Sequence, residues 1–161
     1  MKAEINVYEV KELEDMLCVF DAFKDCKTLT FMKDEETKVS YAKKLLENGH
    51  TIVEKRNGES VGFICFYSND KVTKTGYITA FALDENLGIG KGKTLFRLFR
   101  EGVKIASQAG MTSVKLEVAE SNTKARKLYE AFGFKYLPEK GDGTLYMAMD
   151  FDDLVGRMLK K

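Results

Sequence analysis

The 161-residue chain carries one histidine, one proline and three cysteines. A single histidine cannot build a histidine metal cluster, so no metal site is expected, and His50 reads as a helix-to-strand junction residue. One proline leaves no proline-rich linker. Cys18, Cys26 and Cys65 are odd in number and lack metal or redox spacing, which speaks against a disulfide framework and for reduced thiols in a cytoplasm. Cys65 belongs to an apolar strand pattern and reads as core. An excess of one charge is also missing: 26 Lys and Arg stand against 25 Asp and Glu, for a net charge of +1. Nothing in that balance calls for nucleic acid or an anionic membrane as partner. No apolar run is long enough to cross a bilayer, the N-terminus has no signal-peptide pattern, and no repeat or domain boundary is visible. The expectation is a cytoplasmic α/β protein whose residues 1–161 form one domain.

What the chain does contain is strong periodic patterning. Ile5 to Val10 alternates as a first strand, and Lys11 to Phe23 has helical spacing. Asp34 reads as the N-cap of a helix that Gly49 ends. Thr51–Arg56 and Ser60–Tyr67 read as strands joined at Asn57-Gly58, a strong hairpin signal. Tyr77–Leu83 is apolar enough for a buried strand, and Thr94–Ala109 has one apolar face of Leu95, Phe96, Phe99, Val103 and Ala106. Val114–Val118 is the next strand, followed by a helix from Thr123 that Ser121 or Asn122 caps and Gly133 ends. Its buried stripe reads as Ala125, Leu128 and Phe132. Lys135–Leu137 and Thr144–Phe151 read as strands, Pro138–Gly143 as a polar turn, and Asp152–Lys161 as a C-terminal helix. A helix between two strands implies a right-handed parallel crossover, so the sheet should be mixed: antiparallel early, parallel around the middle.

Between the strand ending at Leu83 and the helix after it lies Leu87-Gly88-Ile89-Gly90-Lys91-Gly92-Lys93-Thr94. A glycine-rich turn into a helix exposes backbone N–H groups, and the helix dipole with Lys91 and Lys93 adds positive charge. That combination suits a phosphate or diphosphate. Walker A spacing fails, because its first glycine would fall on Leu87. The dinucleotide pattern fails too, because Gly92 comes one residue early.

The alternating glycines resemble the acyl-coenzyme A loop of the GNAT acetyltransferases, with Leu87 in the place of the usual Gln or Arg. A second stretch is more specific: Asn122, Ala125, Leu128-Tyr129 and Gly133-Phe134 stand at the offsets and in the order of another GNAT signature. With its Leu116-Glu117-Val118 strand, this half is similar to the ribosomal-protein N-terminal alanine acetyltransferases.

The resemblance implies a mostly antiparallel sheet with a splayed parallel pair at its centre and helices on both faces. It implies acetyl-CoA as co-substrate and no metal. Pantetheine would pair with Phe81, Ala82 and Leu83. The diphosphate would sit on Leu87, Gly88, Ile89, Gly90, Lys91, Gly92 and Lys93, with Asn122 and Tyr129 approaching from the far side. Attack on a thioester needs a neutral amine, and a lysine amine has a pKa of about 10.4, so a base helps. Glu117 is the candidate base, set against the simpler reading of a solvated or ion-paired surface residue. Tyr129 is the candidate proton donor to the departing thiolate, set against a tyrosine that only packs. The acceptor would be a small-molecule amine or a protein N-terminus or lysine, bordered by loops at Lys24–Lys33, Asn69–Lys74 and Pro138–Gly143, with Tyr146 as a contact; a homodimer is compatible. Two rivals are a GNAT-fold domain that binds acyl-CoA or a protein partner without catalysis, and a P-loop nucleotide binder.

Overall fold

The computed structural model describes residues 4–26, 29, 32 and 34–153. Five of the expected acceptor-loop positions between 24 and 33, and residues 154–161 of the expected C-terminal helix, lie outside them. The elements run β1 (Ile5–Glu9), α1 (Leu13–Ala22), α2 (Glu35–Asn48), β2 (His50–Arg56), β3 (Glu59–Tyr67), β4 (Thr75–Leu83), a 3-10 segment (Glu85–Gly90), α3 (Lys91–Gln108), β5 (Ser113–Ala119), α4 (Thr123–Phe132), β6 (Lys135–Lys140) and β7 (Thr144–Asp150). No helix among the described residues is long and apolar enough to cross a membrane.

The strands form one seven-stranded sheet in the order β1-β2-β3-β4-β5-β7-β6. All neighbours are antiparallel except β4 and β5, as a helical crossover between them requires. The expected mixed sheet is therefore present. Each face buries its own core. On one, Val53, Phe63, Cys65, Ala80 and Ala82 pack with Met16, Val19 and Phe20 of α1 and Ala42 and Leu45 of α2. On the other, Ile64, Phe66, Ile78, Leu116 and Met147 pack with Leu95, Leu98 and Phe99 of α3 and Tyr129 of α4. Alternation along each strand feeds both cores at once.

Local chemistry accounts for the helix ends. Asp34 caps α2 by accepting from the Thr37 N–H at 2.7 Å. Asn122 caps α4 through the Ala125 N–H at 3.2 Å, and Gly133 ends it at φ 110°, a left-handed conformation that glycine adopts without strain.

Three expectations need correction. The long helix begins at Lys91, not Thr94, so Lys91, Gly92 and Lys93 are its first turn rather than loop. Pro138 lies inside β6 rather than in a turn. The strand stands at the edge of the sheet with an irregular register from Tyr136 to Lys140, where a missing N–H is tolerated. The one buried residue of α4 is Tyr129, while Ala125, Leu128 and Phe132 are only partly buried against the core.

Candidate active site

The parallel pair β4–β5 is short. Thr75 to Ile78 pair with Ser113 to Leu116, and there the pairing stops. Beyond it β4 continues through Phe81, Ala82 and Leu83, still paired to β3 on its other edge, while β5 continues with β7. A bulge contributes to the parting: Ala80 pairs with Cys65 and Ile78 with Phe66, leaving Thr79 as an extra residue. Bulges twist a strand and re-aim its remaining residues. Thr79 Oγ1 is tied to the Tyr41 hydroxyl of α2, which holds the bulge from outside. The result is a gap whose β4 wall offers main-chain groups with no strand partner on that side.

At one end of the gap lies the glycine stretch. Asp84 caps the 3-10 segment through the Asn86 N–H at 3.0 Å. Gly88 breaks that segment with φ 56° and ψ −124°, a conformation that favours glycine. The Lys91 N–H is already spent on the Gly88 carbonyl, so this donor is not open as the sequence suggests. The next amides, of Gly92 and Lys93, belong to a first helical turn, where N–H groups lack acceptors one turn back. The N-cap is Gly90 and supplies no side-chain cap. A Cβ on Gly92 would meet nothing within 4 Å, so the fold leaves open space above that backbone. The first turn contains Lys91 and Lys93 and no acid, which is unfavourable at a helix N-terminus unless an anion sits there. These features fit a diphosphate. Leu87 is half-buried, and the Ile89 side chain is fully exposed beside the gap.

Tyr129 stands on the α4 side. Its ring is buried and meets Phe81 edge-on at 5.5 Å and Phe134 at 5.7 Å. The structure thus brings Tyr129 to the β4 segment expected to border pantetheine. Burial raises its phenol above the usual tyrosine range, so it stays protonated at neutral pH. Among the described residues nothing hydrogen-bonds its hydroxyl. Tyr129 both packs and keeps its proton available.

Glu117 stands one position past the last β4–β5 pair, opposite Tyr146 of β7. Val114, Leu116 and Val118 point into the α3–α4 core, so Lys115 and Glu117 take the other face. Glu117 is exposed and has no ion-pair partner among the described residues. Lys115 lies instead over the Tyr146 ring at 4.6 Å and 4.0 Å from Glu139. Tyr77 neighbours Glu117. Burial first, then the carboxylate charge, push its phenol up to about 12. Hydrogen bonding towards Glu117 and its charge raise the Tyr146 phenol as well. Both phenols direct a hydrogen bond towards Glu117, and no cation pairs with it among the described residues, so the carboxylate stands at the opening between two tyrosines.

Other polar side chains make bonds within the fold. Asn122 spends its side-chain oxygen on the helix cap. Arg126 donates to the Tyr136 hydroxyl and the Glu120 carbonyl rather than standing free. His50 Nδ1 lies 2.7 Å from Glu9 and its ring stacks on Phe66. Sequence reasoning missed Glu54, a fully buried carboxylate bonded to Thr94 and Arg97 in the first turns of α3. The available signal was the polar pair Thr94 and Arg97, three apart beside the apolar stripe.

Known structures share this arrangement. An acetyltransferase from Streptococcus agalactiae aligns over 91% of this chain and 98% of its own, with 15% identity and a TM-score of 0.73. The ribosomal-protein-S18-alanine N-acetyltransferase of Escherichia coli aligns over 91% and 94%, with 18% identity and a TM-score of 0.69. A Salmonella typhimurium protein, solved with its cofactor acetyl-CoA, aligns over 92% and 95%, with 14% identity and a TM-score of 0.66. At such identities these likenesses speak for the fold alone. A search of curated protein sequences found no significant match. The profile of the acetyltransferase (GNAT) family, however, matches residues 16–134, from α1 through the glycine turn and the splayed pair to the end of α4. With that match over most of its length, and the splay and helix turn in place, the chain belongs to the GNAT acetyltransferase family.

Proposed function

We propose that the chain is an acetyl-CoA-dependent N-acetyltransferase, a single domain over residues 1–161, passing acetyl directly to a primary amine while both substrates are bound. The observation that carries this reading is the opening between β4 and β5, with a Tyr129 hydroxyl that has no partner among the described residues on one side and an exposed Glu117 on the other. Acetyl-CoA supplies an activated thioester. The stretch from Leu87 to Lys93 receives its diphosphate on the amides of Gly92 and Lys93 and on two lysines. The open edge of Phe81, Ala82 and Leu83 pairs with its amide-bearing arm and presents N–H groups to the acyl oxygen as that oxygen gains charge. Glu117 removes the proton that keeps the acceptor amine unreactive, directly or through water. Tyr129 gives its proton to the departing sulfur. Asn122 holds the start of α4, and with it the height of Tyr129.

A non-catalytic acyl-CoA-binding domain would not need a buried phenol with no partner among the described residues and an exposed carboxylate with no cation beside it at the opening, so catalysis is the better account. The Escherichia coli neighbour acts on an alanine of a ribosomal protein, which makes protein N-termini the first acceptors to try. Amine-dependent thiol release from acetyl-CoA, over a panel of small amines and basic peptides with mass detection, tests the reading. Binding of acetyl-CoA without turnover on any amine would leave the non-catalytic domain. Calorimetry showing ATP binding and none of acetyl-CoA would leave the nucleotide binder.

A further inference from the structure

Glu54 takes no part in the chemistry above, yet it is 0% exposed in the sheet. Burying a carboxylate is costly unless it is fully paired. Its Oε1 accepts from Arg97 Nε at 2.6 Å, and its Oε2 accepts from Arg97 Nη2 at 2.9 Å and from Thr94 Oγ1 at 2.8 Å. Arg56 Nη2 stands 3.7 Å from the same oxygen. Thr94, also 0% exposed, directly follows Lys91-Gly92-Lys93 in α3. The bond from β2 therefore reaches the helix within one turn of its N-terminus.

The neighbouring strand completes this seat. Gly62 of β3 pairs with Glu54. A Cβ at Gly62 would stand 3.0 Å from Thr94 Cγ2, 3.0 Å from Leu83 Cδ2 and 3.3 Å from Leu98 Cδ1. Leu83 ends the β4 wall, and Thr94 follows the first three residues of the helix at the diphosphate end. One spot on the sheet, polar at Glu54 and without a side chain at Gly62, touches both the β4 wall and that helix. Stability alone is a weak reason for such a device, because an apolar replacement of a buried ion pair is often neutral or better. A fork-shaped Arg–carboxylate pair with a hydroxyl in register does something an apolar patch cannot: it sets rotation and height.

We propose that Glu54, with Arg97 across it and Gly62 beside it, is a positioning residue for the coenzyme. It fixes the first turn of α3 over the end of β4 so that the amides of that turn converge on the diphosphate. This rests on the acetyl-CoA reading above.

The test is calorimetric binding of CoA to the full chain, with initial rates and melting curves, for wild type, Glu54→Gln, Arg97→Lys and Gly62→Ala. The Kd for CoA and the KM for acetyl-CoA should rise about tenfold, because grips of this kind lose strength with small displacements. Turnover at saturating acetyl-CoA should hold. A lower melting temperature with an unchanged CoA Kd means a merely structural role and overturns the proposal. Should Glu54→Gln fail to fold, unchanged affinity in both Arg97→Lys and Gly62→Ala overturns it equally. Wild-type protein that binds no CoA sinks the acetyltransferase reading and this inference together, whereas unchanged variants sink this inference alone.

Discussion

Two glutamates on the same sheet have opposite surroundings. Glu54 is sealed beneath α3, with both carboxylate oxygens bonded to Arg97 or Thr94. Glu117 stands exposed at the mouth of the β4–β5 opening, with no ion pair among the described residues and only two phenols directed towards it. The difference teaches how one side-chain type is assigned to architecture or to chemistry. A buried carboxylate bonded to a fixed cation holds elements in place, and an exposed one with no cation beside it can accept a proton.

The largest effect should come from the exposed one. Glu117→Gln should lower kcat/KM at neutral pH by about 10²–10⁴ and leave the melting temperature nearly unchanged. Raising the pH should recover part of the rate, since more of the acceptor amine is then neutral without help. A rate-versus-pH profile identical to wild type would remove Glu117 from the mechanism. Its sealed counterpart should behave in reverse. Glu54→Ala leaves Arg97 without its partner and should cost about 3–5 kcal/mol in denaturant unfolding. A loss below about 1 kcal/mol, the range of surface pairs, would erase the distinction between the two sites.

Acid sharpens the same contrast. Bonds from Arg97 and Thr94 hold the Glu54 carboxyl below its usual value, outweighing burial, which acts the other way. Its contribution is therefore full above the unfolded carboxylate pKa of about 4.3 and is lost as pH falls through the folded value. Glu54→Gln should flatten the acid limb of stability against pH. On the other wall, Tyr129→Phe keeps the ring packing against Phe81 and removes only the hydroxyl. Turnover should drop about 10–100-fold with little change in acetyl-CoA KM, and wild-type turnover would reduce Tyr129 to a packing residue. The smallest effect belongs to Asn122→Ala, which removes a helix cap and should cost about 1 kcal/mol. A rise in acetyl-CoA KM larger than this loss explains would show that Asn122 also touches the coenzyme.

Much of this was legible in the chain. Alternation located the strands, Asn57-Gly58 the hairpin, and Asp34, Asn122 and Gly133 the helix ends, because each depends on neighbours a few residues away. Glu117 and Tyr129 could be singled out from one strand-turn-helix stretch and the family it resembles, and they lie beside the opening. Glu54 was not. In the sequence it is one polar residue in a short strand, and its partners arrive 40 and 43 residues later. The first turn of α3 was misplaced because alternating glycines argue for loop by propensity, while packing of Thr94 on β2 and β3 carries the helix back over Gly92 to Lys91. Pro138 argued for a turn, and only the edge position of β6 makes it tolerable in a strand.

By itself the sequence determined periodicity, caps, turns and the paired motifs, all of which rest on short-range sterics and hydrogen bonding. Tertiary structure alone decided which carboxylate is sealed and which stands open, where β4 and β5 part, and that α3 reaches back over Gly92. Those outcomes depend on which distant groups meet, and burial, pairing and open backbone edges exist only once they do.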